Sequence, residues 1–453
     1  MSSKTKITAT KEEAKPTLVP KLRFPGFSAP WEHEPLSKVL KEHKLKNTEG
    51  RDVFSVSMEY GIVNQIELLG RSFAAADTSH YTVGRRYDVV YTKSPLKAFP
   101  YGIVKQCKFD GEVALSPLYG VFTPPNPHVG LMVEAYFESP SRSKDFLSPL
   151  CQKGAKNTIQ ITNTTFLTGR LPLPTQPAEQ QKIAECLSSV DELMAAQARK
   201  VDALKTHKKG LMQKLFPSEK VSGSEKLEAK SEKTESDASF SIPNSHFSPR
   251  LPRLRFPEFQ TAREWEAQML GELGEIITGK TPSTKEADLW GGDILFITPT
   301  DISEAGKYQH TAARTVVETK STKVLPAGSI VYTCIASIGK MALTVTPSIT
   351  NQQINAVVPN KRALGEFLYY ALANLTPWIK IIPATNTLPI INKTDFSKIA
   401  ILHPGKDEQQ RIADCLSSLD ALIAAETQKL EALKTHKKGL MQQLFPSLEE
   451  VEI

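Results

Sequence analysis

Two stretches of this chain repeat apolar residues at alternating spacings of four and three. The first runs through Ile183, Leu187, Val190, Met194, Gln197, Val201, Leu204, Lys208, Leu211 and Leu215. The second runs through Ile412, Leu416, Leu419, Ile423, Glu426, Leu430, Leu433, Lys437, Leu440 and Leu444. A 3.5-residue period kept over about five heptads predicts two long helices with the seam of a left-handed coiled coil. Pro177 and Glu179 mark the start of the first helix, Asp407 and Glu408 that of the second, and Pro217 and Pro446 the stops. The helical segments are therefore expected at 173–217 and 405–446. The polar interruptions select an orientation. A parallel pair would oppose Lys208 with Lys437, two like charges in a poorly solvated seam. An antiparallel register with Gln197 opposite Lys437 and Lys208 opposite Glu426 gives every other seam position an apolar partner, as Val201 with Leu433 and Leu204 with Leu430. That antiparallel register is the expectation.

Outside these stretches the pattern changes to short β-prone runs broken by Gly, Pro, Asn and Asp, such as Tyr87 to Thr92, Asp293 to Thr298 and Ser329 to Thr333. They predict mixed β-rich globular units at 21–172 and 251–404, an α+β architecture. Residues 1–20 read as a flexible N-terminus, 218–250 as a Ser/Lys/Glu-rich linker with little apolar surface, and 447–453 as a tail. The whole plan is duplicated. Glu179 to Ser218 recurs without a gap as Glu408 to Ser447, Leu22-Arg23-Phe24-Pro25 recurs as Leu254-Arg255-Phe256-Pro257, and Trp31 is matched by Trp265. Asp88 to Thr92 falls on Ser329 to Thr333, and Ser116 to Pro124 on Asn351 to Pro359. This is a pseudo-two-fold internal repeat of one fold with two different surfaces, which suits two different ligands of one kind.

Charge adds little on its own. A net charge of +7 among 453 residues favours a polyanionic partner, but a charged fraction of 23% is ordinary. The five cysteines form no CxxC pair, which suits a reducing compartment and argues against structural zinc. The N-terminal stretch has no apolar core and no run of 18 apolar residues occurs, so the cytoplasm is the expected location. Basic residues, hydroxyls and amides gather in loops, where Lys, Ser and Thr hold phosphates and Arg, Asn and Gln read base edges. The DNA-contact candidates are Arg85, Arg86, Lys93 and Lys97 in the first unit, and Lys280, Thr281, Ser283, Lys285, Lys340, Asn351 and Gln352 in the second. The His207-Lys208-Lys209 and His436-Lys437-Lys438 clusters read as solvated charge complementing the helix end, with direct phosphate contact as the alternative. Gly274 to Thr281 formally matches the phosphate-loop pattern. Its bulky Glu275-Ile276-Ile277-Thr278 interior and the following Pro282 argue against an amide cradle opening a helix. Thr123-Pro124-Pro125-Asn126 lacks the residues that make a methyltransferase N-P-P-aromatic motif. No catalytic residue, metal site or cofactor turn is assigned.

The duplicated helix motif, with the Leu-Arg-Phe-Pro entries and the Gly279 to Ser283 and Thr350 to Gln353 segments, resembles the specificity subunits of type I restriction-modification systems. The resemblance implies two target-recognition domains, each reading one half of a bipartite, asymmetric site in double-stranded DNA. It also implies two modification subunits that methylate adenine with S-adenosylmethionine, and restriction subunits that use ATP and Mg2+, this chain binding no cofactor itself. The first unit lacks the Gly279 to Ser283 and Thr350 to Gln353 segments. A rival from another class is a coiled-coil scaffold whose units bind proteins rather than DNA.

Overall fold

The computed structural model describes residues 18–153, 159–217, 251–303, 306–319, 322–381 and 389–446. The expected linker at 218–250, the tail at 447–453 and all but the last three residues of the expected flexible N-terminus lie outside them. The described residues are mixed helix and strand. Two 39-residue helices dominate, Pro177–Leu215 and Lys406–Leu444, close to the expected bounds. The chain divides into two compact units, one holding Met1–Ala196 with Leu430–Ile453, the other Gln197–Lys429. Each long helix is thus shared between the units, rather than standing as a segment of its own.

In the first unit a four-stranded sheet takes the order 41–42, 120–123, 89–92, 103–106. Strand Val89–Thr92 is buried throughout because both its faces are covered. Its alternate side chains serve different cores: Val89 and Tyr91 face the main one with Phe122, Phe137 and Phe166, while Val90 joins Phe54, Leu115 and Val121 on the other face. Helix Pro127–Phe137 packs over the main core, started by Pro127 and by the Asn126 side chain, which accepts from the Val129 amide at 3.0 Å. In the second unit a five-stranded sheet takes the order 274–278, 354–359, 330–333, 341–344, 308–309. Ile276, Ile330, Tyr332 and Val357 face one core, and Ile277, Val331 and Ala356 the other. The aligned strands of the two halves, 89–92 with 330–333 and 120–123 with 354–359, occupy corresponding neighbouring places in their sheets.

The Leu-Arg-Phe-Pro and Trp echoes acquire a role here. In the first unit Arg23 donates to both Glu179 carboxylate oxygens at 2.7 and 2.8 Å, and Trp31 Nε1 donates to the same group at 3.2 Å. In the second, Arg255 holds Glu408 at 2.8 and 2.6 Å, and Trp265 Nε1 reaches it at 3.4 Å. The first turn of each long helix is thereby fastened to the entry segment of its own unit. The far end of the other helix closes the same core. Trp31 meets Phe445 edge-on at 6.1 Å, and Trp265 meets Phe216 edge-on at 6.0 Å. Within each unit, then, the start of one long helix packs beside the end of the other, with Ile183 and Leu187 joining Met441 and Leu444, and Ile412 and Leu416 joining Leu215.

The seam positions are buried or half-buried along both helices, and His207, Lys209, His436 and Lys438 are exposed. The expected register is wrong in detail. Lys208 pairs with Asp420 at 2.5 Å and not with Glu426. Gln197 donates to the Glu426 carboxylate at 2.7 Å and is not opposite Lys437. Lys437 instead bridges Glu138 at 2.6 Å and Asp191 at 2.7 Å. The expectation matched seam residues alone, whereas the lysines are satisfied by acids flanking the seam and by the globular unit. Hydrogen bonds from Gln197, Lys200 and Lys429 hold the Glu426 carboxyl down at about 2, so it is a carboxylate at neutral pH.

Candidate nucleic-acid interface

The second unit gathers most of its expected DNA contacts at one end of the five-stranded sheet. Strand Gly274–Thr278 pairs antiparallel with Asn355–Pro359, so these backbone groups serve the sheet ladder rather than a phosphate cradle. Thr278 Oγ1 donates to Asn355 Oδ1 at 2.7 Å, and one residue on the chain turns at Gly279. A Cβ there would stand 2.2 Å from the Asn351 carbonyl oxygen, so only glycine lets the two loops approach this closely. The approach puts Thr281 Oγ1 2.8 Å from Gln352 Oε1, joining the Gly279 to Ser283 loop to the turn before Ile354. In that turn the Asn351 side chain accepts from the Gln353 amide at 3.1 Å, and the Gln353 carbonyl accepts from the Cys334 amide at 2.8 Å.

Cys334 opens the 334–340 connection between strands 330–333 and 341–344, at the same end of the sheet. Lys340 closes it, its amide donating to Thr333 Oγ1 at 2.9 Å. Gly339 is left-handed at φ +94, and a Cβ there would press on Thr376 and Lys380. Ala336 also has positive φ, and its amide donates to the Pro389 carbonyl at 3.1 Å. Lys280, Thr281, Lys340, Asn351 and Gln352 therefore share one rim of lysines, amides and a hydroxyl. Lys280 and Gln352 are exposed, the other three half-buried. Ser283 and Lys285 are exposed farther along the loop, where the Ser283 carbonyl accepts from Trp290 Nε1 at 3.0 Å.

Sequence reasoning missed an apolar fringe on this rim. Trp378, Ile381 and Ile390 are 41%, 63% and 46% exposed, on the segments that contact the 334–340 connection. It also missed the Arg314 guanidinium stacked 4.4 Å over Trp290. Nothing in the sequence distinguished these from core residues, since a tryptophan on an apolar helix is usually buried. The cleft of about 570 Å³ lined by Arg255, His403 and Glu408 holds none of the expected DNA contacts.

The first unit does not gather its candidates. Lys93 and Lys97 are exposed in the connection between strands 89–92 and 103–106, the counterpart of the Lys340 connection. Arg85 and Arg86 precede Val89, at the opposite end of that strand. Both are already engaged, Arg85 with Glu112 at 3.0 Å and Arg86 with Asp110 at 2.8 Å. Arg86 also covers the ring of Tyr87, whose φ is 73. No cluster of metal-ligating side chains is found among the described residues, and no helix among them is long and apolar enough to cross a membrane.

Residues 262–435 match the family model for the type I restriction modification DNA specificity domain. The chain is 30% identical over 194 residues to the type I restriction enzyme MjaIX specificity subunit of Methanocaldococcus jannaschii, covering 41% of this chain and 45% of that protein. It is 38% identical over 151 residues to the HindI specificity subunit of Haemophilus influenzae, covering 32% and 33%. The chain thus spans less than half the length of these curated relatives. A solved type I restriction-modification S subunit from M. genitalium shares the fold, with a TM-score of 0.57, 15% identity, and 95% of this chain and 100% of that chain covered. Residues 262–435, the segment that matches this family model, hold the rim of Lys280, Thr281, Lys340, Asn351 and Gln352.

Proposed function

We propose that the chain is the sequence-specific DNA-binding subunit of a type I restriction-modification complex, without chemistry of its own. Each globular unit reads one half of a bipartite, asymmetric site in duplex DNA. Partner modification subunits bring S-adenosylmethionine and methylate adenine, and restriction subunits supply ATP- and Mg2+-dependent cleavage. The two long helices form one antiparallel coiled coil between two copies of the repeat, and this rod sets the spacing of the half-sites. The observation that carries the reading is the rim in the family-matched segment. Lysines to engage phosphates and amides to engage base edges stand together there, positioned by the Thr281–Gln352 side-chain hydrogen bond and by a glycine that admits no side chain.

The test is binding of a duplex library by the full chain over a salt series. Binding should weaken steeply as salt rises. Lys280→Ala with Lys340→Ala should flatten the log–log slope by up to about 2, one phosphate contact per lysine. Absence of duplex binding at low salt would favour the protein-scaffold reading.

A further inference from the structure

The apolar seam does not by itself choose the register of the two helices. A pairing with Lys208 against Glu426 also opposes apolar seam positions along the middle of the two helices, and the structure does not adopt it. The adopted register brings the aromatic helix ends into each core and also assembles a pair of polar clusters, one in each unit. In the second unit, Lys208 from the end of one helix meets Asp420 from the start of the other at 2.5 Å, and Tyr370 OH donates to the same carboxylate at 2.5 Å. Lys307 donates to Ser417 Oγ at 2.7 Å and lies 3.3 Å from Glu366, to which Ser417 also donates at 2.7 Å. Both ammonium groups lie 5.2 Å from the centre of the Tyr370 ring. In the first unit, Lys437 and Asp191, the repeat counterparts of Lys208 and Asp420, meet at 2.7 Å. Lys437 also holds Glu138, and Lys105 binds Glu138 at 2.8 Å and Glu134 at 3.3 Å.

Each cluster ties three bodies at one point: the end of one helix, the start of the other, and a globular unit. The lysines are enclosed to different degrees, with side-chain exposures of 21% for Lys208, 12% for Lys437, 6% for Lys105 and 5% for Lys307. Burial disfavours charge on Lys437, but Glu138 and Asp191 outweigh it and keep the group charged. Sliding one helix past the other by a heptad would carry Lys208 away from Asp420 and Lys437 away from Asp191, the two ion pairs that join the helices, besides withdrawing Phe216 and Phe445 from their cores. A buried charge parted from its partner is strongly disfavoured.

We propose that Lys208 and Lys437 are positioning residues for half-site spacing: their carboxylate clamps select the helix register and the place of each recognition unit on it. This rests on the DNA-specificity reading above. A one-heptad slip moves a helix by about 10 Å, or about three base pairs at 3.4 Å each.

The test is selection of binding sites from a random duplex library by the full chain and by Lys208→Gln and Lys437→Gln variants. The expected result is unchanged half-site bases with a spacer that is broadened or shifted by about three base pairs, and with Lys208→Arg keeping the original spacer. A single unchanged spacer in folded glutamine variants overturns the proposal. Should the glutamine variants not fold, the exchanged pair Lys208→Asp with Asp420→Lys is read instead. Restored folding and spacing support the clamp, and failure to restore them overturns it. Should the wild-type chain select no bipartite site, the specificity reading fails. The clamp is then judged from the distance between nitroxide labels at positions 205 and 424, after replacing Cys151, Cys186 and Cys415. A narrow distance that broadens or shifts in Lys208→Gln supports it, and an unchanged one overturns it.

Discussion

Replacing Glu408 by alanine should destabilise the second unit by about 3–5 kcal/mol, the usual cost of removing one partner of a buried ion pair. The Glu408 side chain is 3% exposed and that of Arg255 is 9% exposed, so the arginine left behind regains hydration only through the cleft it lines. The indole N–H of Trp265 loses its acceptor at the same time. Glu179→Ala should do the same to the first unit, because Arg23 and Trp31 converge on that carboxylate. An exposed pair provides the contrast. Lys434 and Glu431 are 49% and 62% exposed, and Glu431→Ala should change stability by no more than about 1 kcal/mol. Denaturant unfolding, with hydrogen exchange followed in strand Ala400–His403 for the second unit and Arg170–Leu173 for the first, measures the three variants. Equal small losses for Glu408 and Glu431 would contradict this account.

The second large effect concerns the helix ends. Phe216→Ala should cost about 3–5 kcal/mol, felt in the second unit, although the helix that delivers Phe216 begins in the first. Its ring lies edge-on to Trp265 at 6.0 Å and 5.7 Å from Phe367, within a core that includes Leu270, Leu372 and Leu416. Phe445→Ala should weaken the first unit by a similar amount through Trp31, Tyr136 and Leu444. Hydrogen exchange localises each loss. A Phe216→Ala effect confined to strand Arg170–Leu173 would show that the helix end does not close the second core.

These contacts mark the limit of what the sequence made legible. The 3.5-residue period gave two long helices nearly to the residue, because periodicity over ten positions outweighs local accidents. The repeat pointed to Arg23, Trp31, Glu179 and their counterparts as significant, but not to one another, since no local pattern joins residues 148 positions apart. The register failed for the same reason. Lys437 finds Glu138, 299 residues away, which matching within the seam cannot detect. At the candidate site, the Lys280 and Asn351 segments were found by residue type, and their proximity depends on strands 274–278 and 354–359 being neighbours. Arg85 and Lys93 looked equivalent in composition, yet strand 89–92 puts them at opposite ends. The exposed Trp378 carried no signal, because apolar character does not reveal which residues a fold leaves uncovered.

The central claim is that two units of one fold each read their own half of a DNA site. It is tested most directly by exchanging residues 31–170 for the matching segment of a relative and mapping the sites that the chain selects, or methylates with its modification partner. The account predicts that one half-site changes entirely while the other half-site and the spacer stay as they were. Altered bases in both halves, or in neither, would contradict it.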